Sequence, residues 1–301
     1  MATPKRRQCA TMVVHERLSE QFPSYRKNQD RIEQALQRSI ASGLAEKTAR
    51  KLITIPTVVH IVYKKPEENI SDAQVQSQIK ALNKDYRAKN ADKSKTPAVW
   101  SGLVADAKLQ FRLAKKDPDG KATKGITRTQ TTQDSFDSSD SVKKKSQGGA
   151  AAWPTDRYLN IWVCNLGESL LGYAQFPGGP AATDGVVILY SAFGTNGAAG
   201  APFDLGRTAT HEIGHWLNLR HIWGDANDCG GTDFVPDTPN QQLPNTGKPT
   251  FPHVTCNNGP NGDMFMNYMD YVDDDTMFMF TPAQVLRMNA TLANTRTKIG
   301  R

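Results

Sequence analysis

HEIGHWLNLRH, residues 211–221, places three histidines at spacings of four and six residues, with a glutamate directly after the first. Residues four apart on a helix lie one turn apart on the same face, so the imidazoles of His211 and His215 can reach one metal ion. An unbroken helix would carry His221 about 9 Å further along its axis, out of reach of that ion. The helix must therefore end near Asn218, because asparagine is one of the few residues besides glycine that tolerate the positive φ such an end usually needs.

Three histidine nitrogens and an open fourth position are the ligand set of a catalytic zinc site, whereas a structural site uses four protein ligands. Glu212 follows the first ligand, so its carboxylate can take a proton from a zinc-bound water and pass it to the leaving amine of a peptide. The motif predicts His211, His215 and His221 as zinc ligands and Glu212 as general base and acid. The alternative is histidines packed in a core, with Glu212 as a surface helix residue.

Length and composition describe a globular chain without a membrane segment. The 301 residues suit one large or two modest domains, and 38% of them are apolar. No apolar run approaches the roughly 20 residues of a membrane-spanning helix, so we expect no membrane partner. The N-terminus, MATPKRRQCATMVV, lacks the apolar stretch of a signal peptide, so either the protein stays inside the cell or a signal peptide has been removed.

The net charge of +7 is unevenly distributed along the chain. Residues 1–50 carry a net charge of +5, whereas residues 221–286 contain nine aspartates, no glutamate and one lysine, a net charge of −8. An acidic region of this size repels phosphate and attracts cations. Because no basic recognition module appears either, we expect no nucleic-acid partner.

Periodicity divides the chain into an N-terminal segment, a mixed α/β part and a loop-rich part after residue 222. Within residues 1–50, apolar side chains at every fourth position from Ile32 to Leu44 predict one amphipathic helix. A second predicted helix follows Ser71, a capping residue. β-branched and aromatic runs predict strands at residues 53–63, 109–115, 158–166 and 185–191, and the polar stretch 131–149 predicts a long surface loop.

Beyond the histidines, the sequence resembles the metzincin zinc endopeptidases, whose motif is H-E-x-x-H-x-x-G-x-x-H, and within them the small microbial members of the pappalysin family. The stretches that carry the resemblance are HEIGHWLNLRHIWGD (211–225), GTDFVPDTPNQ (231–241), DMFMNYMDYVDDDTMFMFTPAQVLRM (263–288), LNIWVCNL (159–166) and LLGYAQFPGG (170–179), and it extends over residues 9–290. Asn218 departs from the metzincin glycine. Lys248 and Thr276 stand where some relatives carry a second disulfide, which we therefore expect to be missing here.

The resemblance implies an α/β (α+β) fold: a metzincin-type catalytic domain with a twisted mixed β-sheet, a backing helix, an active-site helix and a loop-rich C-terminal subdomain. It divides the chain into an inhibitory prosegment (1–50), an N-terminal catalytic subdomain (51–218) and a C-terminal catalytic subdomain (219–301). It also implies that Met269 belongs to a Met-turn that forms an apolar floor beneath the histidines. Tyr271 matches a position from which related enzymes hydrogen-bond the tetrahedral intermediate, and an ordinary half-buried tyrosine is the alternative.

Four cysteines allow three complete pairings. The resemblance pairs Cys229 with Cys256, both in the loop-rich acidic part. Cys164 lies among apolar neighbours of a predicted strand, so we expect a buried free thiol. In relatives a cysteine placed like Cys9 binds the zinc as a thiolate and keeps the zymogen inactive, and the alternative is a stray exposed thiol in an unstructured tail.

The aspartates after His221 predict one or two structural calcium ions, because Ca²⁺ prefers oxygen ligands. The first-choice ligands are Asp233, the carbonyl of Val235, Asp237 and Thr238, with Asp225 and Asp228 as weaker candidates. The alternative is a set of solvated aspartates in turns.

The stretch YVDDDTMFMF (271–280), which follows the predicted Met-turn, predicts the substrate preference. It holds three consecutive aspartates and no basic residue, and carboxylates in a partly desolvated pocket attract Arg and Lys. The resemblance places Asp274 at the base of the pocket for the residue that follows the scissile bond. We therefore expect cleavage on the N-terminal side of Arg and Lys, and TARKL (48–52) offers such a bond before Arg50 or Lys51. The alternative is a solvated turn or a set of calcium ligands.

These features predict a secreted zinc-dependent endopeptidase made as a zymogen, with protein or peptide substrates and with its own prosegment as inhibitor. The alternative from another class is a calcium-stabilised extracellular binding module with a structural zinc site. An unrelated zinc hydrolase acting on small amides is a third possibility. Glu212 separates the endopeptidase from the binding module, because a purely structural site has no use for a general base.

Overall fold

The computed structural model describes residues 4–49 and 51–300. Its helices are α1 (Thr11–Gln21), α2 (Pro23–Ala41), α3 (Leu44–Ala49), α4 (Asp72–Asp85), α5 (Ala98–Ser101), α6 (Arg207–Trp216) and α7 (Pro282–Asn294). Its strands are β1 (Ile53–Tyr63), β2 (Leu109–Leu113), β3 (Ile126–Gln130), β4 (Leu159–Cys164), β5 (Gly172–Ala174), β6 (Val186–Leu189), β7 (Thr246–Gly247) and β8 (Tyr271–Val272). Arg50, one of the two expected cleavage positions, lies outside the described residues. No helix in the described part of the chain is both long and apolar enough to cross a membrane.

A six-stranded mixed sheet forms the centre of the fold and confirms the predicted fold class. Its strand order is β2-β1-β4-β6-β5, and β3 pairs with the second half of β1. Only β5 runs antiparallel among the described strands of this sheet. The side chains of β4 and β6 are all buried, which is why these parallel strands read as continuous apolar runs in the sequence. As the edge strand, β5 offers its free side to another segment.

Helix α4 supports helix α6 against the sheet and is the expected backing helix. The Ser71 side chain accepts a hydrogen bond from the backbone N–H of Gln74 at 3.1 Å and so caps α4. From its far end, the Tyr86 hydroxyl donates to the Thr210 carbonyl at 2.9 Å. Apolar side chains of both helices share one core with the sheet, so the position of the histidine-bearing helix α6 is fixed by packing on two sides.

The N-terminal segment forms three helices rather than the one predicted. Pro23 starts α2 as a first-turn residue, and Gly43, with φ of +71°, separates α2 from α3. The apolar period from Ile32 to Leu44 therefore spans two helices. Helix α1 was not predicted, because Val14 and Leu18 form only one apolar pair at helical spacing. Both are buried in the core cluster that includes residues of β4, β5 and β6.

The structure differs from the prediction at two further places. Strands β3 and β5 were not predicted, because both are short and their sequences carry few apolar residues. The stretch 131–149 contains no described α-helix or strand, as expected, but it is not wholly on the surface. Lys143 is 2% exposed, and its ammonium lies 2.7 Å from Asp140 and 5.2 Å from the ring centroid of Trp162. Its cation is compensated by a carboxylate and an aromatic face.

The part after α6 is loop-rich, as predicted, with β7, β8 and α7 as its helices and strands among the described residues. Cys229 and Cys256 form a disulfide across it. Cys164 is a buried free thiol in β4.

Candidate active site and metal centre

Helix α6 ends where the spacing of the histidines requires it. Its last residue is Trp216, and Asn218 adopts a left-handed φ of 71°. The N–H of Leu219 then donates to the Gly214 carbonyl at 2.9 Å, which closes the end of the helix. The chain reverses at this point and returns His221 to the face that carries the other two histidines.

The three imidazoles meet at their Nε2 atoms. The Nε2 atom of His215 lies 3.1 Å from that of His211 and 3.0 Å from that of His221. The sulfur of Cys9 joins this group, and all four ligand atoms lie within 4.8 Å of one another. Among the described residues this is the only group of three or more His, Cys, Asp or Glu side chains that could hold a metal ion.

The chemistry of this donor set fits a cation. On the far side of each ring, Nδ1 faces an acceptor: the Tyr268 carbonyl at 2.7 Å from His211, the Leu219 carbonyl at 2.8 Å from His215, and the Asp225 carboxylate beside His221. Burial holds the pKa of His211 and of His215 well below the ordinary value, so both rings are neutral. With the Nδ1 proton donated outward, the Nε2 lone pairs converge, an arrangement that a positive ion stabilises.

Met269 lies directly beneath the histidine helix. It is fully buried, and a Cβ atom at Gly214 would lie only 2.5 Å from the Met269 sulfur. The turn that carries Met269 is closed by the Asn267 side chain, which accepts a hydrogen bond from the Met269 N–H at 3.0 Å. Gly214 in the HEIGH motif therefore makes room for the methionine floor.

Tyr271 leans over the histidines from β8. Its ring centroid is 5.7 Å from that of His211 and 5.0 Å from that of His221. The hydroxyl donates to the Cys9 carbonyl at 3.2 Å, so in this state of the chain it is engaged by the N-terminal segment.

Glu212 lies beside the cluster of His211, His215, His221 and Cys9 without joining it. Its Oε2 atom accepts hydrogen bonds from the Cys9 thiol at 3.2 Å and the Thr11 hydroxyl at 3.0 Å. Burial raises the pKa of Glu212 to about 8, while the hydrogen bonds from Cys9 and Thr11 act in the opposite direction. A carboxyl group whose pKa lies this close to neutral pH can both accept and return a proton.

The N-terminal segment crosses the site as an added strand on the free side of β5. The Leu171 N–H donates to the Gln8 carbonyl at 3.0 Å, and the Ala10 N–H donates to the Gly172 carbonyl at 3.1 Å. Cys9 pairs with Gly172 in parallel orientation. Cys9 is therefore no stray tail thiol, because two backbone hydrogen bonds hold it over the histidines.

Asp274 and Arg7 are both buried and form an ion pair. The guanidinium of Arg7 lies 2.6 Å from Asp274 Oδ1 and donates to the Thr208 hydroxyl at 3.1 Å and the Val272 carbonyl at 3.2 Å. The second oxygen of Asp274 accepts from the backbone N–H groups of Leu205 at 2.8 Å and Arg207 at 3.2 Å, at the start of α6.

Three of the four predicted calcium ligands converge. The Thr238 hydroxyl lies 2.7 Å from the Asp233 carboxylate and 3.0 Å from the Val235 carbonyl. Burial raises the pKa of Asp233 to about 7. The fourth, Asp237, has other partners: its two oxygens accept from the Thr281 hydroxyl at 2.6 Å and the Ala283 N–H at 2.8 Å, in the first turn of α7.

Sequence reasoning missed several residues of this site. Arg7 and Thr11 flank Cys9 within the stretch RRQCAT (6–11), and this closeness to Cys9 was the only sign of their role in the sequence. Asp225 was considered only as a weak calcium candidate, but it fixes the ring of His221, four residues away. Arg207 was also missed: it is 5% exposed and pairs with Asp92 at 3.0 Å beneath the start of α6.

Comparison with known proteins agrees with this geometry. Residues 142–293 match the M43 peptidase family described as pregnancy-associated plasma protein-A. Extracellular metalloprotease 1 of Coccidioides posadasii is 33% identical over an alignment of 252 residues, and the match covers 79% of this chain and 76% of that protein. An extracellular metalloprotease of Pyricularia oryzae is 33% identical over an alignment of 254 residues, and the match covers 81% of this chain and 76% of that protein.

Two solved structures from Tannerella forsythia are similar over most of the chain. A promirolysin variant has 46% sequence identity and a TM-score of 0.89, and the match covers 98% of this chain and 97% of that one. Mature mirolysin in complex with a cleaved peptide has 52% identity and a TM-score of 0.81 over 82% of this chain and 95% of that one. Fold and site together define a zinc metalloendopeptidase of the metzincin class. The chain belongs to its pappalysin family, peptidase family M43.

Proposed function

We propose that the chain is a secreted zinc endopeptidase made as a zymogen, which cuts peptide bonds on the N-terminal side of Arg and Lys. The observation that carries this proposal is the position of Arg7. Its guanidinium fills the Asp274 pocket while Cys9, two residues on, lies at the histidine cluster. The N-terminal segment thus already presents a basic side chain to the pocket beside the metal centre.

In this proposal His211, His215 and His221 hold the zinc ion, and Cys9 supplies the fourth ligand in the latent form. When bound, zinc lowers the pKa of water and polarises the scissile carbonyl. Glu212 takes the proton from the attacking water and returns it to the leaving amine. Tyr271, released from the Cys9 carbonyl once the prosegment leaves, donates a hydrogen bond to the tetrahedral oxygen.

The pocket around Asp274 matches a guanidinium or an ammonium group. Its acceptors are the Asp274 carboxylate, the Thr208 hydroxyl and the Val272 carbonyl. The ring of Phe203, whose centroid lies 5.1 Å from the Arg7 guanidinium, covers one side. In such a desolvated site a cationic side chain gains far more than it would in open water.

We propose the division of the chain that the family resemblance implies, and the contacts of Arg7 and Cys9 support its inhibitory N-terminal segment. Residues 1–50 act as inhibitory prosegment, 51–218 as the N-terminal catalytic subdomain, and 219–301 as the C-terminal one. The names of the fungal relatives as extracellular metalloproteases support secretion. We also propose one or two structural calcium ions, one of them bound by Asp233, Val235 and Thr238. We propose proteins and peptides as the substrates.

A proteome digest with the self-processed enzyme tests the proposal. New peptides should begin with Arg or Lys, and a zinc chelator should stop the digestion. Asp274→Ala should abolish the bias toward Arg and Lys, while Glu212→Ala should abolish cleavage altogether with its zinc content unchanged. Peptides that begin mainly with apolar residues would overturn the assignment of Asp274. Full activity of Glu212→Ala would overturn the enzyme mechanism.

A further inference from the structure

Arg220 stands beside the metal centre and takes no part in the chemistry described above. Its guanidinium carbon lies 4.2 Å from the ring centroid of Phe176, and that ring lies 5.5 Å from the ring of His215 in perpendicular orientation. These distances place the guanidinium within about 10 Å of His215, the length of about three residues of extended chain.

No carboxylate of a described residue lies within ion-pair distance of Arg220, although Asp225 and Glu33 attract its charge from further away. The buried or largely buried arginines Arg7, Arg207, Arg287 and Arg296 each form an ion pair with a carboxylate. Arg220 forms none with any described residue, and its Nε atom is buried without a hydrogen-bond partner. Its one hydrogen bond goes from a terminal guanidinium nitrogen to the sulfur of Met12 at 3.4 Å, a weak acceptor. Arg220 is half-buried, and without an ion pair its guanidinium keeps donors free for a ligand.

The path of the N-terminal segment shows on which side of the metal centre Arg220 lies. The segment reaches Asp274 with Arg7, the histidine cluster with Cys9 and Arg220 with Met12, in that order. Asp274 and Arg220 therefore lie on opposite sides of the reacting atoms. Loss of residues up to about 50 removes Met12, and it also removes His15, whose ring packs edge-on against Phe176 at 5.5 Å. Arg220 and Phe176 then face the open cleft.

We propose that Arg220 is a second specificity-determining residue, which binds an Asp or Glu side chain within three residues on the N-terminal side of the scissile bond. The inference rests on the proposed function, because Asp274 defines the other side by taking the residue after the bond. A guanidinium and a carboxylate form paired charge-assisted hydrogen bonds, which are strong at a partly desolvated position. The aromatic face of Phe176 holds the guanidinium plane in place.

The test uses the mature enzyme and matched peptides with Arg after the scissile bond. Each of the three preceding positions carries in turn Glu, Gln or Lys. At one position kcat/KM should be roughly tenfold higher for Glu than for Gln, mainly through KM, as expected for one charge-assisted contact. Arg220→Ala should bring the Glu-to-Gln ratio to about one. Arg220→Glu should reverse the order so that Lys becomes the best residue, an inversion that a merely structural role would not produce.

A matched control is Arg112→Glu, which changes the same charge at an exposed position of β2 and should leave the ratio intact. Zinc content is measured for every variant, and Arg220→Gln replaces Arg220→Glu if the latter fails to fold. A parental ratio of one, or a ratio that Arg220→Ala leaves unchanged, would overturn the inference. Cleavage that still occurs before Arg then leaves the proposed function standing, whereas cleavage elsewhere in the peptides would contradict the proposed function itself.

Discussion

Arg7 and Asp274 are 267 residues apart in the sequence and form an ion pair 2.6 Å long, with side chains only 1% and 0% exposed. The other oxygen of Asp274 caps the start of α6, the helix that carries His211 and His215. One carboxylate thus connects the N-terminal segment, the proposed specificity pocket and the helix that carries two of the proposed metal ligands.

Replacing Arg7 by Ala should shorten latency and destabilise the full-length chain. Asp274 would lose its cation while it stays buried, and breaking one side of a buried pair typically costs about 3–5 kcal/mol. The thermal midpoint should fall when Arg7→Ala is combined with Glu212→Ala, which prevents self-cleavage. When Glu212 is retained, the Arg7→Ala chain should process itself sooner than the parental chain. Arg6→Ala is the matched control, because Arg6 is exposed. Equal behaviour of the two variants would show that Arg7 does not anchor the segment.

Glu33 should form a second anchor of the N-terminal segment. Its carboxylate accepts two hydrogen bonds from the Arg287 guanidinium, at 2.9 Å and 2.6 Å, and Arg287 also donates to the Asn218 carbonyl at 2.8 Å. We expect Glu33→Ala to speed self-processing by roughly tenfold, because a hydrogen bond to a charged group contributes about 1.5–3 kcal/mol. Glu20→Ala, at an exposed position of α1, should have little effect. Processing at the parental rate in Glu33→Ala would remove this anchor from the account.

His60 should make the fold less stable at acidic pH. His60 lies in β1, buried between the neighbouring strands β3 and β4, and its ring nitrogens contact Thr127 at 2.8 Å and Asn160 at 2.9 Å. Burial lowers its pKa from 6.5 to about 4. The unfolded chain binds the proton more tightly, so stability is fully present above pH 6.5 and is lost as pH falls toward 4, by about 3 kcal/mol in total. Denaturant unfolding of Glu212→Ala, with and without His60→Gln, measures this. The slope between pH 6.5 and 4.5 should be shallower in the double variant, and identical slopes would contradict the assignment.

Removing calcium while zinc stays bound should lower the thermal midpoint and speed autolysis, because a ligand that binds only the folded state stabilises it. Asp233→Ala should make the melting curve insensitive to calcium. Asp237→Ala should instead destabilise the chain at every calcium concentration, since its carboxylate accepts hydrogen bonds in the first turn of α7. A melting curve of the parental protein that does not respond to calcium would count against a bound ion.

The part of the site that the sequence predicts is the part governed by local backbone geometry. The spacing of the three histidines requires the helix to end, and Asn218 ends it with a positive φ. Contacts between distant segments were not predictable in this way. Arg7 reaches Asp274, and Glu33 reaches Arg287, only because α1 and α2 dock on the folded catalytic part, and no short-range pattern encodes that docking.

One error had a local cause that a closer reading could detect. Lys143 was placed on the surface by its polar neighbours, although Asp140 three residues earlier offered the ion pair that allows its burial. Fold class and metal centre followed from the motif, whereas the polar contacts around them depended on tertiary packing.

X-ray absorption at the zinc edge of the full-length Glu212→Ala protein tests the central claim, that Cys9 completes the zinc site and holds the enzyme latent. The account predicts one sulfur ligand at about 2.3 Å together with three histidine nitrogens. The sulfur signal should vanish in the Glu212→Ala, Cys9→Ser double variant, and the single Cys9→Ser variant should process itself sooner than the parental chain. A zinc site with only nitrogen and oxygen ligands in the full-length protein would contradict the account.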